Sequence, residues 1–214
     1  MRKAKRYFLT AVCLFVAFVL WTAVVCTVDV QGIGPQESRV GLAAMNRWFH
    51  HLTGVHLSLY FLTDWLSLVP LAFVAAFGLL GLLQWIQRKS IWKVDFSILV
   101  LGGFYLLLLA AFVFFELFPV NYRPILLDGV LEASYPSSTT MLVLCVMPTV
   151  ILQLRQRMKN SKAATILIAL FTVFMLIGRA LSGVHWLSDI IGGILLSGSL
   201  VLLYYAVCCL KKDL

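Results

Sequence analysis

Apolar side chains occur along this chain in long uninterrupted runs, and short clusters of polar and charged residues separate them. Such runs, without the alternation of a β-strand, are typical of membrane-spanning helices, which need about 20 residues to cross the hydrocarbon core. The pattern therefore predicts an all-α polytopic membrane protein, a single six-helix transmembrane bundle over residues 1–214. The predicted spans lie near residues 7–28, 65–87, 96–115, 137–154, 163–178 and 190–210.

A long segment between the first two predicted spans has a different pattern. Within it Val40, Ala44, Trp48 and Leu52 recur at helical spacing, accompanied by arginine and histidine residues. We therefore predict an amphipathic interfacial segment, residues 38–56, on the outer membrane surface. The histidines in this region do not indicate a metal site, because no carboxylate or cysteine stands at ligand spacing.

Composition and charge agree with a membrane protein and add its orientation. Hydrophobic residues make up 62% of the chain and charged residues only 12%. Most of the 17 Lys and Arg residues fall on one side of the predicted bundle, so the positive-inside rule places both termini in the cytoplasm. The net charge of +8 therefore indicates topology and does not imply nucleic acid as a partner. The basic residues of the cytoplasmic side are Arg2, Lys3, Lys5, Arg6, Arg88, Lys89, Lys93, Arg155, Arg157, Lys159, Lys162, Lys211 and Lys212.

Candidate chemistry lies in three segments that this topology places on the outer face. After the third span, Pro124 ends any helix and favours an extended backbone at Arg123. An arginine held in this way is able to present its planar fork to a phosphate. An arginine that extends to the lipid headgroups is the alternative interpretation of Arg123 alone.

The second segment is the start of the fourth predicted span, where Pro136 and Ser137 are typical of a helix N-terminus. Such a terminus also offers free backbone N–H groups and the positive end of the helix dipole, which together bind phosphate. Ser137, Ser138 and Thr139 are therefore candidate phosphate-binding residues.

The third segment carries Arg179, His185 and Asp189 at the mouth of a span, where charged residues are expected to be functional. His185 and Asp189 are four residues apart, a spacing that predicts one helical face. Asp189 is then able to accept the Nδ1 proton of the imidazole and leave Nε2 free to attack phosphorus. Arg179 is expected to clamp the phosphoryl oxygens, although a simple surface ion pair between Arg179 and Asp189 is the alternative.

Together the three segments resemble the type 2 phosphatidic acid phosphatase superfamily, which shares its helical core with the vanadium haloperoxidases. The resemblance covers about residues 116–189. It implies that His185 is the nucleophile that forms a phosphohistidine, that Asp189 orients it, and that no metal or other cofactor is required. It also implies that Arg123 and Arg179 form the phosphate clamp. The residues that match the family pattern in type and spacing are Arg123, Pro124, Pro136, Ser137, Arg179, His185 and Asp189.

Four positions depart from that pattern: Glu116 stands in place of a lysine, Ser138 of a glycine, Gly178 of a serine and Thr139 of a histidine. By resemblance, the missing histidine is the general acid that protonates the departing oxygen. Loss of general acid catalysis costs about 10²- to 10⁴-fold in rate. An alkoxide leaving group needs that proton, whereas a phosphate leaving group has a second pKa of about 6 and departs as a stable anion. The substitution therefore favours a diphosphate substrate, although the loss of a cation at Glu116 lowers the expected affinity for highly charged headgroups.

The expected function is that of a hydrolase, a lipid phosphatase acting at the outer membrane face on a lipid phosphate or diphosphate, with polyprenyl (undecaprenyl) diphosphate favoured. The alternative is a catalytically impaired or inactivated family member that binds phospholipid headgroups, because Thr139 replaces the general acid. A transporter or unrelated helical protein is the third hypothesis. The bilayer and the lipid are the expected partners, and the sequence does not determine an oligomeric state.

Overall fold

The computed structural model describes residues 2–210. Within that range eight α-helices follow one another, with a short antiparallel hairpin after the first. In the hairpin, strands β1 (Gln31–Gly32) and β2 (Arg39–Val40) pair Gln31 with Val40. The helices are α1 (Arg2–Thr27), α2 (Ala43–Thr53), α3 (Leu57–Leu66), α4 (Leu68–Arg88), α5 (Phe96–Leu117), α6 (Ser138–Arg157), α7 (Lys162–Leu181) and α8 (Leu187–Leu210).

Six helical stretches of the described chain are long and apolar enough to cross a membrane. Helices α1, α5, α6, α7 and α8 each form one of these stretches, and α3 continues into α4 to form the sixth. The predicted all-α bundle of six membrane-spanning helices is therefore confirmed, and the chain is a multi-pass membrane protein. Lys211 and Lys212, which contribute to the predicted charge asymmetry, lie outside the described residues.

The second span begins earlier than the sequence predicts, at Leu57 instead of residue 65. Thr63 and Asp64 stand directly before the predicted span, and both residues lie within α3. Thr63 satisfies its hydroxyl inside the helix by donating to the backbone oxygen of Leu59 at 2.9 Å. The polar side chain finds a partner in its own helix, and the span begins about two turns before the predicted start.

The segment predicted to be amphipathic, residues 38–56, also differs from its predicted pattern at Val40, which belongs to β2 and not to the helix that carries Trp48 and Leu52. Helix α2 starts only after Gly41 and Leu42. Leu42 has a positive φ of 52°, and a side chain at Gly41 would put its Cβ 1.6 Å from the backbone oxygen of Val25. This close approach of the hairpin to the end of α1 breaks the helical pattern.

Helices α6 and α8 form the centre of the bundle. In their most apolar stretches 56% and 50% of the residues are buried, compared with 6% in the α3–α4 span. Close packing depends on small residues of α8: a Cβ at Gly192 would lie 2.6 Å from the ring of Tyr135. The buried side chains between α6 and α8 include Met141, Val143, Val146, Met147, Val150, Leu196, Leu200, Val201 and Tyr204.

Helix α1 packs along α8 and reaches the loops at one end of the bundle. Ser199 in α8 donates to the backbone oxygen of Ala11 at 2.9 Å. Nearer the loops, the indole N–H of Trp21 donates to the backbone oxygen of Ser188 at 3.1 Å. The Thr22 hydroxyl lies 2.7 Å from that of Tyr135. Helix α1 thus contacts both α8 and the segment that precedes α6.

Candidate active site

The segment between α5 and α6 folds back on itself and carries several buried polar side chains. The backbone N–H of Arg123 donates to the carbonyl of Glu132 at 3.0 Å, and that of Ser134 donates to the carbonyl of Asn121 at 2.9 Å. Asn121, Arg123 and Ser134 are all buried. This pairing holds them against the turn between α7 and α8.

His185 lies in that turn and precedes the first residue of α8. The prediction that His185 and Asp189 share one helical face is therefore wrong, because Asp189 alone lies in the helix. The turn is formed with the help of Gly183, which has a positive φ of 71°. Nδ1 of His185 lies 3.9 Å from Oδ2 of Asp189, which is beyond hydrogen-bond range. The hydroxyl of Ser134 lies between them, 3.0 Å from Nδ1 and 2.5 Å from Oδ2.

The carboxylate of Asp189 is fully buried and accepts four hydrogen bonds. Oδ2 accepts from the Ser134 hydroxyl and from the backbone N–H of Trp186 at 3.0 Å. Oδ1 accepts from Asn121 Nδ2 at 3.0 Å and from the Ser188 hydroxyl at 3.2 Å. Such saturation fixes the position of the carboxylate.

Asn46 of α2 supports the same network. Its Nδ2 donates to the Ser188 hydroxyl at 3.0 Å, and its Oδ1 accepts from the Ser188 backbone N–H at 3.1 Å. Asn46 and Ser188 are both fully buried. The segment between α1 and α3 thus holds the first turn of α8 through a buried amide.

The two candidate clamp residues converge on one aromatic ring of α3. The Cζ atoms of Arg179 and Arg123 lie 4.7 Å and 5.8 Å from the centroid of the Tyr60 ring. Arg179 also donates from Nη1 to the Thr63 hydroxyl at 3.3 Å, and its Nη2 lies 3.7 Å from Oδ1 of Asp64. The alternative pairing of Arg179 with Asp189 does not occur, because Asp64 is the partner of Arg179.

His185 is close enough to both arginines to experience their charge. Burial is the main cause that holds the pKa of His185 well below 6.5, and the positive charges of Arg123 and Arg179 lower it further. The imidazole is therefore neutral near pH 7, with a lone pair on one ring nitrogen.

Several buried nitrogen atoms of these three side chains have no hydrogen-bond partner. They are Nε and Nη1 of Arg123, Nε of Arg179 and Nε2 of His185. Nε of Arg123 forms an ion pair with Oε2 of Glu132 at 2.9 Å, but its N–H does not point along that line. The carboxylates that face the two arginines, Asp64 and Glu132, are 53% and 40% exposed, so they compensate the buried charge only in part. The unpartnered buried N–H groups of Arg123 and Arg179 favour the binding of an anion.

The start of α6 contacts this site through Ser137. Ser137 is fully buried, and its hydroxyl accepts from Thr140 at 3.0 Å. The backbone N–H of Ser137 donates to the carbonyl of Asp189 at 3.2 Å. Ser138 and Thr139 follow on the first turn and line a neighbouring cavity.

That cavity has a volume of about 900 Å³ and runs between α4, α5 and α6. Its walls are mainly apolar, and its polar lining residues include Asp64, Ser138 and Thr139. The catalytic candidates His185 and Arg123 do not line it. One of its lining residues, Asp64, forms an ion pair with Arg179 at 3.7 Å.

The remaining candidates lie at the edge of the site. Glu116 is exposed near the end of α5 and lines a small hollow with Ser134 and Ser138. The His50 ring packs against Trp186 at 5.5 Å between centroids. Burial is the main cause that lowers the pKa of His50. Among residues 2–210, no group of three or more His, Cys, Asp or Glu side chains is placed to hold a metal ion.

Sequence reasoning did not single out several residues of this site. Ser134 stands two residues before Pro136. Thr63 and Asp64 adjoin an apolar run, where polar side chains are expected to be functional. That position was the available signal for the two residues of α3. The residues that contribute to this site in the structure but were not among the predicted site residues are Asn46, Tyr60, Thr63, Asp64, Asn121, Ser134 and Ser188.

Comparison with known proteins identifies a similar family and a similar fold. Residues 117–209 match the model of the PAP2 superfamily. The fold is similar to the crystal structure of the first transmembrane PAP2 type phosphatidylglycerolphosphate phosphatase from Bacillus subtilis, with a TM-score of 0.58 and 21% sequence identity. The similarity covers 94% of this chain and 96% of that chain. No curated protein matches significantly. The resemblance to this superfamily is confirmed, and the fold is that of a PAP2-type membrane phosphatase.

Proposed function

We propose that this chain, with its PAP2-type fold, is a membrane lipid phosphatase that removes a phosphate from a lipid phosphate or diphosphate through a phosphohistidine at His185. The charge distribution supports a site on the outer face with both termini in the cytoplasm. Polyprenyl diphosphate is the favoured substrate. No metal or other cofactor takes part in the mechanism.

The observation that carries this proposal is the set of unpartnered nitrogens on Arg123, Arg179 and His185. Two of these side chains are cations that share the ring of Tyr60. A phosphoryl group has three non-bridging oxygens that accept the arginine N–H groups, while its phosphorus faces Nε2 of the neutral imidazole. Binding of this anion satisfies donors that are otherwise desolvated and unpaired.

The reaction has two steps. In the first, the Nε2 lone pair attacks phosphorus in line, the P–N bond forms, and the P–O bond to the leaving group breaks with its electron pair. Arg123 and Arg179 stabilise the negative charge on the non-bridging oxygens in the transition state. In the second, water attacks the phosphohistidine, the P–N bond breaks, and inorganic phosphate leaves with His185 restored.

The leaving group determines the substrate preference. Thr139, at the position of the family's acid, holds its hydroxyl proton too tightly to protonate an alkoxide. A lipid monophosphate produced from a diphosphate departs as a stable anion near neutral pH and needs no such proton. The apolar cavity of about 900 Å³ beside Thr139 suits the hydrocarbon chain of either lipid.

The second candidate function is binding of phospholipid headgroups without turnover, and the absence of the acid at Thr139 favours it. The same cationic pocket serves both functions. The two differ in whether the P–O bond breaks, so a measurement of phosphate release separates them.

The test measures phosphate release by purified protein in lipid nanodiscs. The substrates are undecaprenyl diphosphate, its monophosphate, phosphatidic acid and phosphatidylglycerolphosphate, the last because it is the substrate named for the structural relative. We expect diphosphate turnover that His185→Ala abolishes and that the matched variant His51→Ala, at an exposed histidine of α2, leaves unchanged. Trapping of radiolabelled phosphate on the wild type, but not on His185→Ala, is the second expected result. Turnover that persists in His185→Ala would overturn the mechanism, and saturable lipid binding without any turnover would support the headgroup binder.

A further inference from the structure

The most direct contact of the nucleophile candidate is with Ser134 and not with Asp189. The serine hydroxyl lies 3.0 Å from Nδ1 of His185 and 2.5 Å from Oδ2 of Asp189, whereas the imidazole and the carboxylate are 3.9 Å apart. All three side chains are buried. A single hydroxyl therefore connects the two groups.

The direction of these hydrogen bonds follows from counting protons. An ionised carboxylate only accepts, so the single hydroxyl proton of Ser134 is donated to Asp189. The serine oxygen then has lone pairs left, and it accepts a hydrogen bond from the ring. Nδ1 of His185 must carry the proton, and Nε2 must carry the lone pair.

We infer that Ser134 is a positioning residue that fixes the reactive tautomer of His185 by relaying the acceptor character of Asp189 to Nδ1. The catalytic consequence rests on the proposed function, while the tautomer itself does not. When Nε2 bonds to phosphorus the ring becomes positively charged. The relay then stabilises that charge through two charge-assisted hydrogen bonds, with no proton transferred to Asp189.

The local structure holds the Ser134 hydroxyl in place. Its backbone N–H donates to the carbonyl of Asn121, and the Asn121 side chain donates to the other oxygen of Asp189. The adjacent residue Tyr135 is buried against Gly192 and hydrogen-bonded to Thr22. The hydroxyl therefore does not have to be ordered during the reaction, as preorganised catalytic hydrogen bonding requires.

The experiment compares Ser134→Ala with Ser134→Thr, which retains the hydroxyl, and Ser134→Cys, which retains the size but has a weak donor. Ser199→Ala is the matched control, since it removes another buried hydroxyl that bonds to a backbone oxygen far from His185. We expect Ser134→Ala to lower kcat by about 10- to 100-fold with KM changed less than about threefold, because the lost interaction is strongest in the transition state. We expect Ser134→Thr to recover most of kcat, Ser134→Cys to be intermediate, and Ser199→Ala to match the wild type.

Nitrogen NMR of protein labelled with ¹⁵N at its four histidines supplies a readout independent of turnover. The difference from His185→Ala identifies the His185 signals. We expect protonated Nδ1 in the wild type and in Ser134→Thr, and a mixture of tautomers in Ser134→Ala.

Retention of both kcat and the Nδ1–H tautomer in Ser134→Ala would overturn the inference, because Asp189 would then act on the ring directly. A folded Ser134→Ala with low kcat but the wild-type tautomer would also overturn it. If the wild type releases no phosphate, the proposed function fails, and the NMR comparison still decides the role of Ser134.

Discussion

Replacing Thr139 with histidine tests how this site handles its leaving group. Thr139 is 7% exposed on the first turn of α6 and borders the cavity of about 900 Å³, so a larger side chain has open space beside it. Asp64 lines the same cavity and lies 3.7 Å from Arg179, one of the proposed phosphate-binding residues. We therefore expect a histidine at position 139 to protonate an oxygen that departs from the phosphorus.

General acid catalysis contributes about 10²- to 10⁴-fold, and we expect the lower end of this range, about 10²-fold in kcat/KM, for lipid monophosphates. For diphosphates we expect a change of less than about threefold, because their leaving group has a second pKa of about 6 and needs no proton near neutral pH. Steady-state phosphate release from phosphatidic acid and from undecaprenyl diphosphate gives both values. The ratio of kcat/KM for phosphatidic acid to kcat/KM for undecaprenyl diphosphate therefore measures the effect of the introduced general acid.

Two control variants accompany this measurement. Thr139→Gln adds polar bulk without a transferable proton and is expected to leave the ratio unchanged. Thr139→His combined with His185→Ala is expected to be inactive on both substrates. An equal gain on both substrates, or no gain in a folded variant, would refute the argument that the leaving group limits this protein, and the second result would favour the headgroup binder.

Three other measurements test the remaining parts of the site. Arg179→Lys retains the charge but loses the planar fork that bonds Thr63 and is proposed to bind the phosphate. We therefore expect kcat/KM to fall about 10- to 100-fold, while Arg47→Lys at an exposed arginine leaves it unchanged. Burial and the two arginines hold the pKa of His185 below 6.5, so the imidazole stays neutral as the pH falls through 6.5. In a pH profile of kcat/KM we therefore expect activity to fall, through protonation of His185, only at lower pH. An inflection at 6.5 that disappears in His185→Ala would contradict this. Gly183 has a φ of +71°, and Gly183→Ala would put a Cβ 2.0 Å from the backbone oxygen of Gly54. We therefore expect thermal unfolding in detergent to show a loss of unfolding free energy well above the roughly 1–2 kcal/mol that left-handed strain alone costs. Gly129→Ala, with a φ of +76° and no atom within 4 Å, is its control for strain alone, and equal losses would rule out the contact as the cause.

The spans could be predicted from the sequence because the length of an apolar run depends directly on membrane thickness. The start of α3 could not, because Thr63 and Asp64 are polar. Their partner Arg179 stands 116 residues after Thr63, so no local sequence pattern predicts that contact. Local periodicity records what a residue faces only when its neighbours in sequence are also its neighbours in space.

The sequence predicts which side chains are candidate reactive groups, but it does not predict the contacts between them. His185 and Asp189 were assigned a direct contact from their spacing, and the turn at Gly183 removes His185 from the helix that the spacing assumed. Ser134, which occupies the gap, is 51 residues from His185 in the chain. Its role depends on the fold of the loop between α5 and α6, which sequence spacing does not report.

The hydrogen bond from Trp21 to the carbonyl of Ser188 has a consequence for the modularity of this protein. The segment that matches the superfamily, residues 117–209, contains the proposed reactive groups His185, Arg123 and Arg179. Trp21 and Asn46, which brace the first turn of α8 from outside that segment, are contributed by the N-terminal part of the chain. Residues 117–209 transferred to another six-span protein would therefore lack the hydrogen bonds from Trp21 and Asn46 that hold the first turn of α8. The structural unit that supports the proposed site is longer than the segment that matches the family.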